Sequence, residues 1–189
     1  MEQTILLDGE TMAEHIFRMA QEIVDSVDNL EEVALLGILR RGVPLAERIA
    51  GHIHELTGQR PPVGSLATVL YRDDAGLAAA MVASKGHTYF DFNVDGRLII
   101  LVDDVLAAGR TIRSAMDEVM DYGRPAKIAL ACLVDRGGRE LPIQPDYLGW
   151  SLGTAPGEWV HVKLQELDEE DVVLLERRGE SNEGAGQGE

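Results

Sequence analysis

The fold is decided by one stretch near the middle of the chain, Leu98-Ile99-Ile100-Leu101-Val102-Asp103-Asp104-Val105-Leu106-Ala107-Ala108-Gly109-Arg110-Thr111. Its first residues are apolar, which predicts a strand over residues 97–102 that is buried on both faces of a parallel sheet. Two acids and a run of small residues then predict a turn over residues 103–110, followed by a helix over residues 111–122. A buried strand that leads through a tight turn into a helix is the repeating unit of an α/β fold.

The turn in this stretch has the composition of a phosphate-binding site. Gly109 and the small residues before it let the backbone approach an anion closely, and successive N–H groups at a helix N-terminus attract that anion. Thr111 adds a hydroxyl donor. Asp103 and Asp104 point to opposite faces of the strand end, so at least one of them can accept hydrogen bonds from the hydroxyls of a ribose. An isolated pair of acids would more often cap the following helix, whereas the whole combination predicts a site for a sugar phosphate.

The rest of the chain alternates between helix-like and strand-like segments. Apolar residues between Thr11 and Val27 recur at three- and four-residue steps, which predicts an amphipathic helix. The alternation favours an open, mostly parallel sheet with helices on both faces, and ligands should bind beyond the carboxyl ends of its strands. The other predicted elements are a strand over residues 32–38, a helix that follows Gly42 and runs through residue 56, a strand over 63–71 that leads into a loop, and a strand over 128–134.

The chain is predicted to form a single domain over residues 1–178. With 189 residues and 45% hydrophobic content it can bury a sufficient core. Short strand-like pieces at 147–152, 158–164 and 171–176 predict a small hood over the site, formed mainly by residues 136–178. Residues 179–189 contain no large apolar side chain and are predicted to be a disordered acidic tail.

Composition and charge favour a cytoplasmic protein with a local phosphate site. The formal net charge is −16, yet residues 1–32 hold nine acids and one base and residues 166–189 hold nine acids and two bases. Most arginines and lysines lie between these ends, as expected for a site that binds a phosphate-rich small molecule inside an acidic shell. Cys132 lies in an apolar run and is expected to pack in the core. Neither a signal sequence nor an apolar run long enough to span a membrane is evident.

Several motifs resemble those of one family. The succession of apolar residues, two acids, two apolar residues, two small residues, Gly, any residue and Thr is similar to the signature with which type I phosphoribosyltransferases bind phosphoribosyl diphosphate (PRPP). Together with five further segments, it resembles the pyrimidine operon attenuation regulator/uracil phosphoribosyltransferase (PyrR) family from Ile5 to about Glu176. The five segments are Gly37-Ile38-Leu39-Arg40-Arg41-Gly42, Val69-Leu70-Tyr71-Arg72-Asp73-Asp74, Gly123-Arg124-Pro125-Ala126-Lys127-Ile128, Leu133-Val134-Asp135-Arg136-Gly137 and Arg139-Glu140-Leu141-Pro142-Ile143.

This resemblance implies a fold, a reaction and partners. It implies the type I phosphoribosyltransferase fold and the transfer of ribose 5-phosphate from PRPP to uracil, which gives UMP and diphosphate with Mg²⁺ as cofactor. It further implies binding of UMP or UTP, uridine-nucleotide-dependent binding of pyrimidine-operon mRNA that controls transcription attenuation, and a homodimer or larger homo-oligomer. Two alternatives stay open, namely an RNA-binding nucleotide sensor with little catalysis and a purine-salvage phosphoribosyltransferase.

The resemblance also implies roles for individual residues. The loop at residues 38–42 would hold the diphosphate of PRPP, and a loop that begins at Tyr71 would close over it. The implied catalytic residues are Asp103, Asp104 and Arg72, and Mg²⁺ would be held through PRPP with both acids as candidate ligands. The implied PRPP- or nucleotide-binding residues are Arg40, Arg41, Lys85, Asp103, Asp104, Val105, Leu106, Ala107, Ala108, Gly109, Arg110 and Thr111. The implied base-binding residues are Asp135, Arg136 and Val160.

The sequence departs from the family pattern at the phosphate sites. Relatives usually have Thr where this chain has Arg40, and they carry a bulky residue and Thr where it has Ala107 and Ala108. One hydroxyl that would bind the 5-phosphate is therefore missing. PRPP is expected to bind more weakly, because a hydrogen bond to a charged group contributes about 2 kcal/mol.

A further departure concerns RNA. The family binds RNA with a basic face, and cations dominate such binding because they neutralise phosphates. Here the first helix carries four acids against Arg18, and Gly138 and Gln144 stand where relatives place His and Arg. Charge therefore argues against RNA binding. The four acids are Glu10, Glu14, Glu22 and Asp25, and a smaller basic patch would comprise Arg124, Lys127, Arg139 and Lys163.

Overall fold

The structure is a computed structural model that describes residues 2–68 and 87–177. Strands and helices alternate through most of this part of the chain, apart from a short 3-10 turn at Leu30–Glu32. The strands are β1 (Glu2–Leu7), β2 (Val33–Ile38), β3 (Val63–Leu66), β4 (Leu98–Leu106), β5 (Lys127–Asp135), β6 (Tyr147–Ser151), β7 (Glu158–Lys163) and β8 (Val172–Arg177). The α-helices are α1 (Gly9–Ser26), α2 (Gly42–Thr57), α3 (Arg110–Tyr122) and α4 (Gln165–Asp168).

Five strands form a parallel central sheet in the order β3-β2-β4-β5-β6. All residues of β2 are buried, as the apolar run predicted. Successive strand residues face opposite sides. Leu35 and Ile100 pack in a cluster with residues of α1 and α2, whereas Leu36 and Leu101 pack in a second cluster with residues of α3. The predicted α/β fold, with helices on both faces of a mostly parallel sheet, is confirmed.

A second, antiparallel sheet has the order β1-β8-β7 and is called the small sheet below. The small sheet differs from the predicted hood over residues 136–178, because it includes β1 and does not include β6. β1 comes from the N-terminus, where Ile5 lies opposite Leu174. β6 instead joins the central sheet, because Tyr147 pairs in parallel with Ala131 of β5. Pairing between segments so far apart in sequence leaves no local pattern, so periodicity alone does not reveal it.

β4 is longer than the predicted strand over residues 97–102. It continues through both acids to Leu106, because it stays paired with β5, with Asp103 opposite Cys132 and Val105 opposite Val134. The predicted turn over residues 103–110 is therefore only three residues long, from Ala107 to Gly109, and α3 begins at Arg110. The carboxylates consequently belong to a rigid strand rather than to a loop.

The other element boundaries lie close to their predicted positions. α1 begins at Gly9 rather than residue 11, because the Asp8 carboxylate accepts a hydrogen bond of 2.9 Å from the Thr11 N–H and caps the helix. β3 ends at Leu66, short of the predicted residue 71, and residues 69–86 with the predicted loop lie outside the described residues. Over the described ranges, no helix has both the length and the apolar character needed to cross a membrane.

Candidate functional site

The candidate site lies at the carboxyl ends of the central strands, where an open α/β sheet collects ligands. β4 and β5 end together, because Leu106 lies opposite Asp135. The loop after β2 lies tightly against β4, since a Cβ atom on Gly42 would collide with the Val102 carbonyl oxygen. At the other end of this loop the Leu39 N–H donates to the Leu66 carbonyl at 3.0 Å. The segments that carry the predicted ligands thus meet at one edge of the sheet.

Two carboxylates lie in the second half of β4, at Asp103 and Asp104. Asp103 is only 8% exposed, and its Oδ1 accepts a 3.0 Å hydrogen bond from the Asp104 N–H. Asp104 is half-buried. Burial raises the pKa of the Cys132 thiol, and the charges of Asp103, Asp104 and Asp135 raise it further. The three acids lie toward the carboxyl ends of the neighbouring strands β4 and β5, and Cys132 is a buried neutral thiol.

The two adjacent acids are the predicted candidate ligands for a Mg²⁺ ion that arrives with a phosphate. Mg²⁺ usually keeps several waters and is bound by one or two carboxylates together with substrate phosphates. In the described ranges, no group of three or more His, Cys, Asp or Glu side chains is arranged to hold a metal ion. Asp103 and Asp104 would supply two carboxylates of such a shared site rather than a complete cage.

Residues 107–109, called the phosphate turn below, connect β4 to α3. Gly109 is the N-cap of α3 and has φ of 92°, a conformation that favours glycine. Because glycine has no side chain, the cap residue offers no side-chain acceptor to the first-turn amides of α3. Thr111 lies half-buried in the first turn of α3. The start of α3 thus presents backbone N–H groups and the positive end of the helix dipole, both of which favour an anion.

The two arginines predicted to bind diphosphate have different surroundings. Arg41 donates from Nη2 to both carboxylate oxygens of Asp168 in α4, at 2.8 and 3.1 Å. Its Nε atom is buried without a hydrogen-bond partner. Arg40 is exposed and follows a cis peptide bond after Leu39. Asp168 was missed, because it is distant along the chain from Arg41 and belongs to no motif.

Residues 135–138, called the base loop below, carry the predicted base-binding pair. Arg136 donates from Nη1 to the Glu158 carbonyl at 3.3 Å, and its guanidinium lies 5.5 Å from the centre of the Trp159 ring. The predicted Val160 follows in β7 and packs against the main core. Arg136 and the strand that carries Val160 are therefore brought together. Trp159 was missed, although a tryptophan beside a predicted ligand in the hood segment was an available signal.

Two further arginines in this region form ion pairs. Arg110 donates from Nε to Glu140 at 2.9 Å. Arg139 donates to the Ala107 and Ile143 carbonyls and to the Asp135 carboxylate. The sequence placed Arg139 in a residual basic patch, but its nitrogens are engaged within the protein, because it lies between the phosphate turn and the base loop.

Lys163, a second member of the predicted basic patch, is also paired, with Glu170 at 2.6 Å. The patch thus retains fewer free cations than the sequence indicated. Arg72 and Lys85, predicted to contact PRPP, lie outside the described residues, and their roles remain predictions.

Comparison with known proteins assigns the chain a family. A model of the phosphoribosyl transferase domain matches residues 2–166. Proteins named bifunctional protein PyrR are similar over most of their length. The one from Thermoanaerobacter sp. (strain X514) is 47% identical over 174 residues, covering 90% of this chain and 95% of the relative. That of a Picosynechococcus species is 50% identical over 170 residues, with 90% and 95% covered.

Solved structures share the fold at low sequence identity. A hypoxanthine-guanine phosphoribosyltransferase from Bacillus anthracis has a TM-score of 0.66 at 17% identity, covering 92% of this chain and 98% of that one. The hypoxanthine phosphoribosyltransferase of Trypanosoma cruzi has a TM-score of 0.65 at 15% identity, covering 93% and 97%. At these identities the likeness extends to the architecture of the central sheet and its helices.

Proposed function

The chain belongs to the PyrR family of phosphoribosyltransferases, and on that premise we propose that it transfers ribose 5-phosphate from PRPP to uracil, releasing UMP and diphosphate. One observation carries the proposal. Asp103 and Asp104 lie on a rigid strand, and only Val105 and Leu106 separate them from the phosphate turn. Carboxylates for two ribose hydroxyls and amides for a 5-phosphate are thus supplied by one continuous segment.

The proposed mechanism relies on positioning and on charge. As diphosphate leaves, positive charge develops at C1 of the ribose, and the carboxylates of Asp103 and Asp104 stabilise it. Arg40 and Arg41 attract the departing diphosphate, while the phosphate turn holds the 5-phosphate and keeps C1 in place. Mg²⁺, when bound with PRPP, neutralises charge on the diphosphate and so makes it a better leaving group. No residue needs to form a covalent intermediate.

Uracil as the acceptor rests on the base loop and on family membership. Trp159 and the Glu158 carbonyl orient the Arg136 guanidinium, from which an N–H can donate to a uracil carbonyl. Backbone groups near Val160 in β7 can read the edge of the ring. Purine salvage is the alternative. The purine-specific proteins among the structural neighbours support it through the fold alone, because their identity to this chain is low.

RNA-dependent control of transcription is the second candidate function, and family membership favours it. The charge of α1 argues against RNA binding at that helix. Its single arginine, Arg18, is paired with Glu22 at 2.7 Å and donates to the Leu148 carbonyl at 3.2 Å. It also donates to the Gly149 carbonyl. Any RNA-binding surface would thus have to avoid the acidic face of α1. A gel shift with a pyrimidine-operon leader RNA at fixed salt, with and without UMP, tests this function.

From membership in the same family we also propose that the protein is cytoplasmic and forms a homo-oligomer.

A base panel tests the proposed reaction. Purified protein is incubated with PRPP, Mg²⁺ and uracil, hypoxanthine or guanine, and nucleotide products are quantified. UMP is expected to form fastest, and faster formation of a purine nucleotide would contradict the uracil proposal. The variant with Asp103→Asn and Asp104→Asn should lose turnover. Arg60→Gln is the matched surface control, because Arg60 is half-exposed and pairs with Glu47 outside the site.

A further inference from the structure

The segment that follows β5 packs on the phosphate turn through its backbone. The Arg136 N–H donates to the Leu106 carbonyl at 3.0 Å, and the N–H groups of Glu140 and Leu141 donate to the Ala108 carbonyl at 3.0 and 3.1 Å. Glu140 and Leu141, which follow the base loop, therefore contact the phosphate turn directly, and Arg136 of the base loop contacts Leu106 at the end of β4. Contacts beyond the strand pairing of the sheet thus link the ends of β4 and β5.

Arg139 lies at the centre of this contact. Its Nη1 donates to the Ala107 carbonyl at 2.9 Å, its Nε to the Ile143 carbonyl at 2.7 Å, and its Nη2 to the Asp135 carboxylate at 2.5 Å. The side chains of Arg139 and Asp135 are 21% and 18% exposed. One planar guanidinium thus joins the phosphate turn, the base loop and Ile143 of the segment that follows the base loop.

We propose that Arg139 is a positioning residue that sets the spacing between the 5-phosphate subsite and the base subsite. The proposal rests on the proposed function, because that function places the two ends of a nucleotide in these two subsites. Arginine suits the role since its rigid fork offers several N–H donors in fixed directions. Lysine would keep the charge opposite Asp135 but cannot reproduce the three directed hydrogen bonds.

Binding of a whole nucleotide should depend on Arg139 more than binding of either part. UMP occupies both subsites at once, so it requires the correct spacing between them. Ribose 5-phosphate needs only the phosphate turn and the acids of β4. A residue with a merely structural role would lower the stability of the fold without changing the ratio of the two affinities.

The test measures the dissociation constants of UMP and ribose 5-phosphate by titration calorimetry. The proteins are the full-length wild type, Arg139→Lys, Arg139→Met and the control Arg60→Gln, and thermal unfolding establishes that each is folded. For Arg139→Lys we expect UMP binding to weaken roughly tenfold or more and ribose 5-phosphate binding less than roughly threefold, from the loss of directed hydrogen bonds. Arg139→Met should show an equal or larger effect if it folds, and the control none.

Two results would overturn the proposal. The first is that Arg139→Lys binds UMP as tightly as the wild type does. The second is that Arg139→Lys loses the same factor of affinity for UMP and for ribose 5-phosphate. Failure of the proposed function gives a different result, because the wild type would then bind IMP more tightly than UMP. In that case IMP replaces UMP in the comparison, and the ratio of IMP to ribose 5-phosphate affinity decides the role of Arg139.

Discussion

Arg41, in the loop predicted to hold diphosphate, forms an ion pair of 2.8 Å with Asp168 at the end of α4. The Asp168 carboxylate also accepts a hydrogen bond of 3.0 Å from the Leu164 N–H, which fixes it between β7 and α4. Both ion-paired side chains are partly buried. A diphosphate that binds Arg41 must therefore share this cation with a carboxylate.

Substituting Asp168→Asn is expected to strengthen PRPP binding. The change removes an anion that competes for Arg41, while the amide oxygen can still accept from the Leu164 N–H. The KM for PRPP should fall by roughly fivefold, as estimated for a partly exposed ion pair. Steady-state kinetics at varied PRPP measure it. Glu166→Gln in the same helix is the control, since Glu166 pairs with Arg48, and a raised KM in Asp168→Asn would refute this explanation.

Replacing Ala108 tests whether the missing hydroxyl weakens phosphate binding. Ala108→Thr adds an O–H donor at the phosphate turn, and Ala108→Val adds nearly the same volume without a donor. If both fold, the threonine variant should bind ribose 5-phosphate up to roughly tenfold more tightly than the valine variant, because hydrogen bonds to charged groups contribute most. Calorimetry compares the two directly. Equal affinities would mean that the hydroxyl does not reach the ligand.

Gly42 is expected to be intolerant of a side chain. A Cβ atom there would collide with the Val102 carbonyl, whereas one on Gly51 in the same helix would meet only Arg60 Nη1, at 3.6 Å. Gly42→Ala should therefore lose about 1–3 kcal/mol of unfolding free energy from overpacking. Gly51→Ala should gain up to about 1 kcal/mol, because alanine favours helix. Urea denaturation measures both, and similar effects at the two positions would contradict the close packing of this loop against β4.

Arg48 links α2 to the segment before β8 and should make stability depend on pH. It donates to Glu166 at 2.8 and 2.7 Å and to Asp171 at 2.7 Å. The hydrogen bond from Arg48 lowers the pKa of Glu166 below its ordinary value of 4.5. A lowered carboxylate pKa adds stability that is complete above the unfolded value and is lost as pH falls through the folded one.

The stabilisation through Glu166 is therefore present at neutral pH and is lost at pH values below about 4.5. Arg48→Met should lose about 1 kcal/mol at pH 7 after allowance for screening at these partly exposed side chains. Its disadvantage relative to wild type should shrink as the pH is lowered. Denaturation of both proteins between pH 7 and pH 3 measures this. A disadvantage that stays constant with pH would show that Arg48 stabilises through packing alone.

Much of the architecture follows from local pattern. The apolar runs at β2, β4 and β5 and the periodic residues of α1 and α3 are explained by burial alone, and the structure confirms the resulting parallel sheet. The predicted length of β4 was wrong. Two consecutive acids suggest a loop, and the sequence does not show that they stay paired with β5. The place of β1 beside β8 likewise depends on pairing between distant segments.

The part of the candidate site formed by consecutive residues was predictable from the sequence. The contacts that join separate segments of the chain were not. Asp103, Asp104 and the phosphate turn are consecutive, so their spacing is visible in the sequence. Asp168, the partner of Arg41, and Ala107, one of the partners of Arg139, come from distant segments of the chain. The sequence alone does not show whether an arginine is available to bind phosphate or is already paired within the protein. The structure shows that Arg139 is paired with groups of the protein itself.

The most direct test of the central claim is titration calorimetry of PRPP with Mg²⁺ into wild-type protein and into the variant with Asp103→Asn and Asp104→Asn. The wild type should bind one PRPP per chain, and the double variant should bind at least roughly tenfold more weakly, because hydrogen bonds to the ribose hydroxyls lose their charged acceptors. Absence of binding to the wild type, or equal affinity of both proteins, would contradict the assignment of this strand end and phosphate turn as the phosphoribosyl site.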